Sequence, residues 1–200
     1  MEWTENIIIA DGGYVDSVAF NLTVNFERMI GRRIPPADMA RWVECIALDG
    51  GMRPGEDEQS KQTQTQVVLV HKTGRERMEN FAPGHYADEL HGKAFTGRLG
   101  EFMFTCINPE GLTTTDALLQ DTLQLALQAD GVKRIMVVPG EQGLNGVSHT
   151  VRRAAGSDKP KQITVFTMQP FAGGHFQQEI LGYSLMAALG VKSSELNPEN

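Results

Sequence analysis

Cysteine is nearly absent: Cys45 and Cys106 are the only two in 200 residues, and they stand far apart. Neither belongs to a CxxC pair or to a Cys/His zinc spacing, so disulfides and structural zinc do not organise this chain, and two reduced, buried thiols are expected. The histidines His71, His85, His91, His149 and His175 share no ligand spacing either. No apolar run is long enough to span a bilayer, and the amino terminus MEWTENIII lacks a signal-peptide pattern, which points to a cytoplasmic protein with no membrane partner. Basic residues are in deficit. Lys and Arg number 18 against 25 Asp and Glu, a net charge of −7. That balance argues against a nonspecific nucleic-acid binder, because phosphate affinity comes from clustered Lys and Arg. Local basic groups persist at Arg32-Arg33 and at Arg152-Arg153 with Lys159 and Lys161; these read as solvated faces, although the second group can reach phosphate. A Ser/His/Asp triad has no nucleophile elbow to stand on, and no internal repeat is present.

What is present is an ordinary core: 40% hydrophobic and 22% charged residues, enough for a single domain over residues 1–200. Short apolar, β-branched runs mark strands at Ile7–Ala10, Val67–Val70, Phe102–Ile107, Arg134–Val138 and Ile163–Thr167. Helical spacing follows the first strand from Asp16 or Ser17 to Met29, with Val18, Leu22, Phe26, Met29 and Ile30 inward and Gly31 as the stop. Pro35-Pro36 opens a second helix, with Met39, Trp42, Val43, Ile46 and Ala47 as its buried stripe. A third begins at the hydroxyls of Thr113–Thr115, carries Leu119, Leu123 and Leu127 inward, and stops at Asp130-Gly131. Shorter helices are expected around Tyr86–Leu90 and along Val147, Val151 and Ala154, and a last one over Phe176–Leu189 before Gly190. Between Arg53 and Gln66 the polar, Gln- and Thr-rich composition predicts a surface loop.

Strands alternating with helices predict an α/β protein on a mostly parallel sheet of about five strands. Right-handed crossovers give the strand order 3-2-1-4-5, with the first strand in the middle. In such sheets ligands bind outside the carboxyl ends of the strands, where the strand order reverses. Asp11 follows the first strand and Glu141 the fourth, so both belong to that crevice, and Asp116 joins them if the preceding connection passes over the same edge. Three acidic residues so placed can hold Mg²⁺ or Mn²⁺, hard cations that take oxygen ligands and can clamp a phosphate.

The sequence blocks IIIADGG, TDALLQDTLQLAL and IMVVPGEQGL, with the later QITVF, occur in the order found in the NYN branch of the PIN-like nucleases, and the chain resembles that family. There, a strand ends in an Asp-Gly signature, an Asp-rich helix follows later, and a buried strand ends in Ser-Gly-Asp-x-Asp-Phe. The resemblance implies a PIN-like three-layer α/β/α sandwich, and a metal-dependent ribonuclease fold with Asp11, Asp116, Asp121 and Glu141 at its acidic positions. Two departures stand out: Gly143 replaces the second Asp of the last motif, and Tyr14 stands where that family usually has Asn. Losing a carboxylate weakens a metal site. The expectation is therefore a divergent domain with a weakened Mg²⁺ or Mn²⁺ site that binds a ligand or partner. An active Mg²⁺-dependent ribonuclease, with RNA as partner and Asp11, Asp116 and Glu141 as its catalytic residues, is the alternative.

Plainer readings stand beside these. Asp11 before Gly12-Gly13 reads equally as a turn residue, Asp116 as a helix-start charge and Glu141 as a solvated loop residue. The spacing Gly140-x-x-Gly143-x-x-Gly146 suggests phosphate or nucleotide binding at a helix start, without the Walker lysine. Finally, the segment Phe176–Val191 is apolar around most of its circumference, more than one surface stripe requires, and predicts a homodimer through this helix.

Overall fold

Three consecutive isoleucines and an alanine build the centre of the molecule. In the computed structural model, which describes residues 2–55, 63–155 and 160–197, they form strand β1 (Asn6–Asp11), buried along all but its last residue. Alternation sends Ile7 and Ile9 to one face of the sheet and Ile8 and Ala10 to the other. Both faces are apolar because both are covered. On one side of β1 lies β3 (Gln64–Val70), on the other β7 (Arg134–Val138), both parallel to it. Strand β6 (Gly100–Ile107) pairs parallel with β3, and β8 (Gln162–Thr167) parallel with β7. Two edge strands complete the sheet: β5 (Ala94–Gly97), antiparallel on β6, and β9 (Gln177–Ile180), parallel on β8.

The full order is β5-β6-β3-β1-β7-β8-β9, so the sheet has seven strands where about five were expected. A two-residue pair, β2 (Ala37–Asp38) with β4 (Phe81–Ala82), stands apart from it. Helices α1 (Gly12–Ile30), α2 (Met39–Asp49) and α5 (Leu181–Ala188) share one core cluster with Ile8 and Ala10. Helices α3 (Thr115–Gln128) and α4 (Leu144–Ala154) share the other with Ile7 and Ile9. A short α6 (Ser193–Leu196) closes the described chain. The molecule is thus an α/β sandwich on a mostly parallel sheet.

Several boundaries differ from the sequence expectation, each for a local reason. Helix α1 starts at Gly12, four residues before Asp16, because Asp11 itself caps it by accepting the Tyr14 N–H at 2.9 Å. Met29, expected inward, is exposed at the end of that helix. The stripe of α2 is as expected: Met39, Trp42, Val43, Ile46 and Ala47 are all buried. Helix α3 ends at Gln128 with Ala129 extended, so Gly131 does not serve as a left-handed cap, whereas Gly31 and Gly190 do adopt positive φ. Between residues 72 and 100 the chain forms β4, a wide helical turn at Tyr86–Leu90, and β5. Cys45 and Cys106 are free but only half-buried, not fully buried as expected. Part of the loop expected at Arg53–Gln66 lies outside the described residues; within the described part, β3 begins at Gln64.

The largest revision is at the carboxyl end. Gln177–Ile180 is strand, not helix: it pairs with Thr164–Thr167, and the helix begins only at Leu181. The QQEI stretch has no apolar helical stripe, and a free edge of β8 offers it a hydrogen-bonding partner. The apolar circumference that suggested a dimer is largely used within the chain, since Leu181, Leu185, Ala188 and Leu189 are buried. Tyr183, 68% exposed, is the large apolar side chain of α5 left outside.

Candidate functional site

Helices of the two faces start on opposite sides of the line between β1 and β7. Strand β1 feeds α1 on one face and β7 feeds α4 on the other, so the chain diverges there and opens a crevice at the carboxyl edge. This crevice holds about 540 Å³ and is lined by Asp11, Tyr14, Lys72, Arg75, Asp116 and Glu141, among others. Asp11, Asp116 and Glu141 therefore share one cavity. Asp121, one and a half turns further along α3, is exposed and does not line it.

The two aspartates approach each other across a glycine. A Cβ on Gly140 would stand 3.2 Å from Asp11 Oδ2 and 3.7 Å from Asp116 Oδ1. The two oxygens are thus separated by at most the sum of those distances, about 7 Å, inside the ~8–10 Å over which salt screens charges. Gly143 serves the same packing: its Cβ would come 2.9 Å from Asp116 Oδ1. Glycine at 140 and 143 thus makes room for the carboxylates. The interaction is visible in the acid of Asp11, which is pushed above the usual aspartate range first by burial and also by the nearby Asp116 charge. Backbone N–H groups of Tyr14 and Gly13 and the Lys72 ammonium oppose that rise. The Tyr14 hydroxyl is raised by burial, then by Glu141 and Asp11, and stays protonated at neutral pH.

Local structure explains each placement. Asp11 caps α1. Asp116 sits in the first turn of α3, whose N-cap Thr114 accepts the Ala117 N–H at 3.1 Å. Glu141 opens a short 3₁₀ turn, Glu141–Gly143, directly after β7, and its side chain is exposed. Among the described residues, no group of three or more His, Cys, Asp or Glu side chains is arranged to hold a metal ion.

Lys72 and Arg75 were not anticipated at the site. They follow the end of β3 at the same edge, and the position after every parallel strand was the signal that would have found them. Of the basic group read as able to reach phosphate, no described member lines the crevice. Lys161 donates to the carbonyls of Ala129 and Val132, both at 2.6 Å, and Arg152 and Arg153 end α4 away from it; Lys159 is outside the described residues. Arg32 pairs with Glu195 at 2.8 Å. No described helix is long and apolar enough to cross a membrane.

No curated protein and no solved structure matches the chain. A family model described as a family of unknown function, DUF6621, matches residues 1–196, nearly the whole chain, and the protein belongs to that family.

Proposed function

We propose that this protein is a divergent PIN-like domain of the NYN type whose carboxyl-edge crevice binds a phosphate-bearing ligand together with a weakly held Mg²⁺ or Mn²⁺, without cleaving RNA. The observation that carries the reading is the approach of Asp11 Oδ2 and Asp116 Oδ1 around Gly140, in a crevice that also contains Lys72 and Arg75. Two like charges in a partly buried cleft raise each other's energy, and a cation or a shared proton relieves it. Mg²⁺ keeps most of its water and is commonly held by one or two carboxylates plus the phosphates of its ligand. The pair Asp11 and Asp116 fits that role.

The set does not fit a nuclease centre. By the resemblance to the NYN branch a further carboxylate belongs where Gly143 stands, and Glu141, although it lines the crevice, is exposed. When bound, the cation would neutralise phosphate charge. The other groups act without it: Lys72 and Arg75 attract and orient an anion, and the hydroxyls of Thr114 and Thr115 line the same cleft as hydrogen-bonding partners.

The test is incubation of a single-stranded RNA oligonucleotide with the protein and Mg²⁺ or Mn²⁺. Intact RNA is expected. Metal-dependent cleavage that disappears in Asp11→Asn would contradict the reading and establish the ribonuclease alternative.

A further inference from the structure

A second cavity, of about 620 Å³, adjoins the crevice on its β3 side and is lined by His71, Arg75, His85, Tyr86, His91 and Cys106, among others. Arg75 belongs to the walls of both cavities. The consecutive residues His71 and Lys72 divide between them, one lining each. Gly12, directly after Asp11, packs against the Tyr86 side chain: a Cβ there would come 2.7 Å from Tyr86 Oη. A ligand reaching from one cavity to the other therefore passes along Arg75.

The chemistry of the second cavity is that of a flat, hydrogen-bonding guest. His71 and Tyr86 stack on each other at 3.9 Å between centroids with 7° between planes, and both are buried, so the pair forms the rigid floor of the cavity. Two imidazoles have their tautomers set by the backbone, and a third lies against Asp88. His71 Nδ1 donates to the Lys72 carbonyl at 3.1 Å, which leaves Nε2 an acceptor. His91 Nδ1 accepts the Cys106 N–H at 3.1 Å, which leaves its Nε2 carrying a proton to donate; His85 Nδ1 faces both the Asp88 N–H at 3.3 Å and the Asp88 carboxylate at 3.5 Å. Burial holds His71 below the usual histidine range, so its acceptor persists at neutral pH. Burial pushes the Cys106 thiol up to about 12, so the cavity contains no thiolate nucleophile. A donor and an acceptor held on rigid rings match the hydrogen-bonding edge of a nucleobase.

We propose that this histidine-walled cavity is a nucleobase pocket, so that the ligand of the crevice is a nucleotide with its phosphate at Lys72 and Arg75 and its base among His71, His85 and His91. This rests on the phosphate-binding reading of the crevice and adds the identity of the ligand to it.

The experiment titrates the protein with adenosine, uridine, their 5′-monophosphates and inorganic phosphate, following histidine ring resonances by NMR and affinity by calorimetry. Nucleosides are expected to shift the rings of His71, His85 and His91, and the monophosphate of the preferred base to bind at least about tenfold tighter than its nucleoside or phosphate alone, a difference of one linked contact. His85→Ala, at a half-exposed position, is expected to weaken nucleoside and monophosphate several-fold while sparing phosphate. Lys72→Ala is expected to do the reverse, weakening phosphate and monophosphate and sparing the nucleoside. Nucleosides that leave all three rings unmoved, with monophosphates no tighter than phosphate, would overturn the base pocket and leave the crevice standing. Nucleosides that bind while phosphate adds nothing would overturn the crevice reading, and the nucleotide with it. The wild-type titrations decide the question even if a variant fails to fold.

Discussion

Asp11 has two duties that pull in opposite directions. As the N-cap of α1 it accepts a backbone N–H, which stabilises; as a partly buried charge near Asp116 it is penalised, which raises its pKa. Asparagine caps as well as aspartate does but carries no charge. Asp11→Asn is therefore expected to raise the melting temperature at pH 7. Because the folded-state pKa is raised, the folded form binds the proton more readily, and stability falls as pH rises through that value. The gain from Asn should accordingly shrink as pH falls through the raised pKa, and vanish below the ordinary aspartate range. Asp11→Ala, which also loses the cap, should be about 1 kcal/mol less stable than Asp11→Asn in denaturant melts. At Gly143, a Cβ would come 2.9 Å from Asp116 Oδ1, a contact that the flexible end of the aspartate can relieve. Gly143→Asp should add a carboxylate beside Asp116, lower the melting temperature without metal and raise Mg²⁺ affinity in calorimetry; an unchanged affinity would show that the added group points away. Asp11, Asp116 and Glu141 were legible as a group because each directly follows or precedes an apolar run. Lys72 and Arg75 were passed over because they open the polar stretch 72–100, and only their place just after β3 marks them.

Among the elements, those with a strong apolar rhythm read correctly and those defined by their neighbours did not. The stripe of α2 and the isoleucines of β1 follow from spacing alone. Strands β5 and β9 exist because a neighbouring strand has a free edge; in isolation AFTG and QQEI carry no strand pattern. The helical turn at Tyr86–Leu90 was expected, but its stack against His71 was not. Helix α5 lacks a side-chain cap at its start and is held by burial, with Leu185 wholly enclosed in the core shared with α1 and α2. Leu185→Ala should cost about 2–5 kcal/mol in chemical denaturation. A homodimer through residues 176–191 is a proposal that now rests on Tyr183, the exposed large apolar residue of α5. If it forms, Tyr183→Glu should halve the mass seen by light scattering. A mass unchanged by that substitution would leave α5 a purely intramolecular element.

For the molecule as a whole, position is more informative than composition. A net charge of −7 suggests no affinity for phosphate, yet the fold brings Lys72 and Arg75 to the edge where the two helical layers diverge. The same divergence places Asp11 and Asp116 on either side of Gly140. A cation and a phosphate-bearing ligand bound there would each strengthen the binding of the other, and that coupling is reciprocal. The most direct test is a calorimetric titration of Mg²⁺ into the wild type and Asp11→Asn, with and without saturating adenosine 5′-monophosphate. The account predicts weak Mg²⁺ binding alone, tighter binding with the monophosphate present, and loss of that enhancement in Asp11→Asn. Mg²⁺ binding that is the same with and without the monophosphate, or that Asp11→Asn leaves untouched, would contradict it.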